Sequence, residues 1–126
     1  MAYTACVLEK DSVSILVAWM HANLEVPKQF EVICHHMTID LAPISRSMGA
    51  DLNGQRHELK VVRVGRLDGI IAVEVETDVP SRNVRKHITM CLDRANGWKP
   101  MRSNDITEWK EIAPFSLWGV VGQEGL

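Results

Sequence analysis

The sequence predicts an α+β fold built mainly of antiparallel sheet with one or two helices. Three observations carry that expectation. Two strand-like runs, residues 31–41 and 85–93, repeat one short pattern: His36-Met37-Thr38-Ile39 and His87-Ile88-Thr89-Met90. Asp68-Gly69 joins two runs rich in Val and Ile, and such a dipeptide tolerates the positive φ of a tight hairpin turn. Helical spacing of apolar residues occurs in one clear stretch, at Val13, Leu16, Val17 and Met20,. The order β, α, then mostly β argues for antiparallel sheet in a single domain spanning residues 1–126,.

Taken in order, residues 3–8 form a short apolar run that reads as a strand. Asp11 or Ser12 can cap the helix, because their side-chain oxygens accept from its first free amides. The helical pattern runs to about His21, and Asn23 and Pro27 mark the exit,. The first His-Thr strand follows, then a loop over 42–53 rich in Pro, Ser, Gly and Asn. Residues 58–67 and 70–77 are the two arms of the Asp68-Gly69 hairpin. A loop over 78–84 leads into the second His-Thr strand, and another loop follows it to Asn104. Residues 106–112 and 115–121 read as two final strands.

The two His-Thr strands carry the chemistry. Alternate side chains of a strand share a face. In the first run Ile33, Met37, Ile39 and Leu41 share one face with His35, while Cys34, His36, Thr38 and Asp40 share the other. In the second run Ile88, Met90 and Leu92 oppose Arg85, His87, Thr89, Cys91 and Asp93. Each strand then has a buried back and a front bearing an imidazole and a hydroxyl. Two imidazoles supply an acid and a base near neutral pH, and two Thr hydroxyls can hold an oxyanion between them. His35 falls on the back and is left out of this site. Cys34, His36, His87 and Cys91 also have the atoms for tetrahedral zinc, although structural zinc ligands usually come from turns with short Cys spacings. Lys99 and Arg102 follow the second motif and are candidates for a phosphate rim. Trp98, beside Gly97, is a candidate for stacking on a base.

The 126 residues are 46% hydrophobic and 24% charged, with a formal net charge of −2. No overall basic field attracts long nucleic acid. No apolar run approaches the ~20 residues of a membrane span, and no secretory pattern opens the chain. Three cysteines without a Cys-x-x-Cys spacing fit a reducing, cytoplasmic setting.

The motif pair resembles the 2H (two-histidine) phosphoesterase superfamily, and more closely its Swiss Army Knife RNA repair-like branch. The likeness rests on Val32-Ile33-Cys34-His35-His36-Met37-Thr38-Ile39, on Lys86-His87-Ile88-Thr89-Met90, and on Gly97-Trp98-Lys99-Pro100-Met101-Arg102-Ser103-Asn104. The histidines lie 51 positions apart (87 minus 36), closer than in typical members. The resemblance implies two pseudo-symmetric lobes with His36 and His87 facing across a cleft. It implies cofactor-free, metal-independent hydrolysis of 2′,3′-cyclic phosphate RNA ends or small cyclic nucleotides. His36 and His87 would be acid and base, and Thr38 and Thr89 would bind the phosphate. The partner would be a small nucleotide or an RNA 3′ end. Two alternatives stay open: cleavage of a cyclic oligonucleotide messenger, and a non-catalytic nucleotide-binding or zinc-stabilised module.

Overall fold

A computed structural model describes residues 1–125 of the chain. Its elements are β1 (Ala2–Leu8), α1 (Lys10–Asn23), β2 (Glu31–Val32), β3 (His36–Asp40), β4 (Arg56–Leu67), β5 (Ile70–Glu76), β6 (His87–Leu92) and β7 (Trp109–Gly125), with four short 3-10 turns between strands. The strands form one antiparallel sheet in the order β2-β6-β3-β1-β7-β4-β5. β5 also pairs with β6, so six strands close into a barrel and β2 remains as a two-residue flap on β6. The α+β class with mostly antiparallel sheet holds. The two facing lobes do not: the two His-Thr strands are neighbours in one barrel, paired through Met37 and Ile88.

Alternation sorts the residues between the barrel interior and its outside. Cys6, Leu8, Met37, Ile39, Leu59, Val61, Val73, Ile88, Met90, Leu117 and Val121 are buried together in one core. α1 adds Leu16 and Met20 to that core. A side chain of this kind gains about 1.5–3 kcal/mol from full burial. A smaller cluster, Ile70, Ala72, Leu92 and Ile106, lies with Trp98 and Trp109 packed against it.

Several boundaries differ from expectation for identifiable reasons. α1 starts at Lys10 with Glu9 at its cap and no side-chain cap bond. Ser12 instead accepts from the Trp118 amide at 2.7 Å, tying the helix to β7. The two final strands are one, 17 residues long. Pro114 does not interrupt it because Val61 pairs with Phe115 and Arg63 with Glu111. The proline therefore sits in an irregular stretch where no ladder amide is required. Among the described residues, no helix is long and apolar enough to cross a membrane.

Candidate active site

The first His-Thr run is not one continuous strand. Cys34 takes a left-handed backbone (φ 43°), a conformation that costs a non-glycine residue energy. This kink shifts the alternation by one residue. Before it, Cys34 is buried and Ile33 lines a cavity; after it, Met37 and Ile39 are buried while His36 and Thr38 line that same cavity. The second strand makes a comparable shift. Ile71 pairs with Cys91 and Ala72 with Thr89, so Met90 is the extra residue of a bulge. His87 and Thr89 face the cavity, and Cys91 joins the core.

These two irregularities correct the assignment of Cys34 and Cys91 to the site face. The Cys34 thiol donates to the Met90 carbonyl at 3.4 Å. Burial pushes the Cys34 thiol up to about 12 and the Cys91 thiol up to about 11, as expected of thiols packed in a core. Cys34, His36, His87 and Cys91 are not brought together as a ligand set, and no group of three or more His, Cys, Asp or Glu among the described residues is placed to hold a metal. Asp40 also leaves the site. Its carboxylate accepts from the Ala42 and Met48 amides, which fold the following loop, and chiefly the Met48 bond holds it below the usual carboxylate range.

His36, Thr38, His87 and Thr89 share one cavity of about 350 Å³ on the outside of the barrel. The antiparallel pairing of Met37 with Ile88 sets His36 beside Thr89 and Thr38 beside His87, with the histidines on a diagonal. Diagonal neighbours on a sheet stand about 7–8 Å apart at the backbone, and His87 is near enough for its charge to act on His36. Tyr3 of β1 packs its ring 5.4 Å from that of His36. Ile33, Leu41, Pro100 and Met101 supply apolar wall, and Asn83 and Asn104 supply amides. Among the described residues, no Lys, Arg, Asp or Glu lines this cavity.

The hydrogen bonds define what each group offers. His87 Nδ1 lies 2.8 Å from the Arg85 carbonyl. A carbonyl only accepts, so Nδ1 carries the proton and Nε2 keeps a free lone pair. Burial lowers the His87 pKa, partly offset by that bond. His36 Nδ1 lies 2.9 Å from His35 Nδ1, a contact that holds one proton between two nitrogens. Burial, with the charges of His35 and His87, lowers His36 to about 4. His35 was expected on the buried back face. The kink turns it outward instead: its side chain is 47% exposed, with Nε2 3.8 Å from the Glu124 carboxylate. Glu124, His35 and His36 thus form a chain from solvent into the cavity.

Thr89 exchanges a hydrogen bond with the buried Ser103 hydroxyl at 2.8 Å. Ser81 Oγ donates to the Thr38 carbonyl at 2.8 Å and accepts from the Asn83 amide, which fixes the loop that presents Asn83. Of the three rim candidates, none lines this cavity. Trp98 packs under the hairpin, where a Cβ on Gly69 would overlap its indole. Arg102 lies over the Trp98 ring at 4.3 Å and binds Asp105 at 2.7 Å. Lys99 is exposed on the neighbouring loop. The cavity residues missed by sequence reasoning include Tyr3 and Asn83, and His35 beside them. Long-range strand pairing, the Ser81-braced loop and the backbone kink bring them there, and none of these has a local sequence signal.

No family model, curated protein or solved structure matches this chain.

Proposed function

We propose that the protein is a phosphodiesterase that opens 2′,3′-cyclic phosphates or related small cyclic nucleotides with the His36–His87 pair. The observation that carries this reading is the shared cavity, in which two imidazoles and two hydroxyls face one space of nucleotide size,. In this reading His87 Nε2, bare because Nδ1 is bonded to Arg85, takes a proton from water as it attacks phosphorus. The P–O bond to one ribose oxygen breaks. His36 Nε2–H gives its proton to that departing oxygen, and the product is a phosphomonoester.

A lowered His36 pKa disfavours an acid role for that ring alone, and His35 resolves this. The contact between the two Nδ1 atoms lets the pair hold one positive charge, drawn in by the bound phosphate. As the Nε2 proton leaves, the shared proton passes onto His36 Nδ1, and both rings end neutral. His35 is therefore a positioning residue that keeps the charge near solvent and Glu124. Thr38 and Thr89 donate to the non-bridging oxygens where charge develops, with Ser103 orienting Thr89. The likeness to 2H phosphoesterases in the two His-x-Thr motifs supports the same reading.

The test is a panel of 2′,3′-cyclic, 3′,5′-cyclic and cyclic di- and trinucleotides, with products followed by phosphorus NMR. Opening of a 2′,3′-cyclic nucleotide, lost in a His36→Ala/His87→Ala double variant, supports the proposal. Failure to open any member overturns it, and preference for a cyclic di- or trinucleotide moves the substrate to the messenger class.

A further inference from the structure

A second cavity of about 480 Å³ adjoins the first, and the two share Asn83, His87 and Asn104 as a common wall. Their electrostatics differ. Among the described residues, the first has no charged side chain in its lining, and the second is lined by Arg82 and Arg85 with no acidic side chain in its wall. Both arginines sit on the loop between β5 and β6 whose tip, Val84, is fully exposed. Each is braced by a carboxylate that lies outside both cavity walls. Arg82 reaches Asp40 through Nε at 3.4 Å, and Arg85 reaches Glu74 through one terminal nitrogen at 2.7 Å. A guanidinium has five N–H groups, so each keeps donors for a second anion. Arg85 also stands 5.1 Å from the Trp109 ring, which lines the same cavity.

From this juxtaposition we infer that the second cavity is a subsite for the phosphodiester next to the reacting one, making the preferred substrate an oligonucleotide end rather than a mononucleotide. The inference rests on the phosphodiesterase reading and extends it. A reacting cyclic phosphate bears one negative charge, which the neutral first cavity takes with hydroxyls and a protonated imidazole pair. A second phosphate cannot share that space. Across the His87 wall it meets two braced arginines, whose forked donors match phosphate oxygens. Asn83 and Asn104, in the shared wall, are placed for the sugar or base between the two phosphates.

The experiment compares a 2′,3′-cyclic mononucleotide with a dinucleotide carrying the same cyclic end and one internal phosphodiester. Dissociation constants are measured on the His35→Ala/His36→Ala protein, so that binding is read without turnover, and kcat/KM on the wild type. The dinucleotide is expected to bind about ten-fold more tightly or better, the usual effect of one added charge-assisted contact. That advantage should shrink with salt more steeply than mononucleotide binding does, since a phosphate contact releases counterions. Arg82→Gln should remove most of the advantage and leave mononucleotide turnover within about two-fold. Equal affinity for both ligands with equal salt dependence, alongside normal mononucleotide turnover, overturns the subsite and leaves the phosphodiesterase reading intact. Absence of turnover and of binding for both ligands overturns the two together.

Discussion

Replacing His36 with Asn should flatten the acid side of the protein's stability profile. Burial, with the neighbouring His35 and His87, lowers His36 from an ordinary 6.5 to about 4. Between those values the unfolded chain binds a proton that the native state refuses. Stability is therefore fully present above about pH 6.5 and falls as the pH drops toward 4. A fall of that width, at about 1.4 kcal/mol per pH unit, amounts to about 3 kcal/mol. His87 is lowered in the same direction and adds to the loss in both proteins. Urea titrations at pH 7, 6, 5 and 4 measure the effect. The wild type should lose about 3 kcal/mol more than His36→Asn across this range. Equal losses in the two proteins would show that His36 is solvated in the native state, and the picture of a desolvated imidazole in a charge-free cavity would fail.

His35→Ala should lower kcat on a cyclic phosphate about ten-fold or more while KM changes little, and should move the limb of the bell-shaped pH profile that His36 sets, because the departing oxygen then meets a lone His36 freed of its neighbour's charge,. A purely structural His35 would leave that profile unchanged. Ser103→Ala leaves the buried Thr89 hydroxyl without its partner, which should cost roughly 1–3 kcal/mol in denaturant titrations and lower kcat through a misdirected Thr89. Gly69→Ala forces a methyl into the Trp98 indole and should destabilise by about 1–3 kcal/mol; because Trp98 lies off the cavity, kcat should stay within about two-fold.

Period-two alternation in the sequence put His36 with Thr38 and His87 with Thr89 on common strand faces, and all four line one cavity; Asp68-Gly69 marked the hairpin between β4 and β5. Alternation assumes a regular strand, and it failed where the backbone is irregular. The left-handed Cys34 and the Met90 bulge each move a residue across the sheet. These two shifts account for the misplaced Cys34, Cys91 and His35. Closure of the barrel was not legible either, because pairing of β6 with both β3 and β5 depends on accumulated twist along several strands. Trp98 looked like a stacking residue because its neighbours are polar, yet its ring fills the space left by Gly69 in the β4–β5 hairpin and does not line the cavity.

The most direct test of the account is a double-mutant cycle at the histidine pair. On a 2′,3′-cyclic nucleotide, His36→Ala and His87→Ala should each lower kcat by about 10²–10⁴. The double variant should lose far less than the product of the two, because the groups act on one phosphate as a unit. Circular dichroism verifies that each variant is folded. Folded single variants that keep wild-type kcat, or losses that multiply as if the residues were independent, would contradict the shared catalytic cavity.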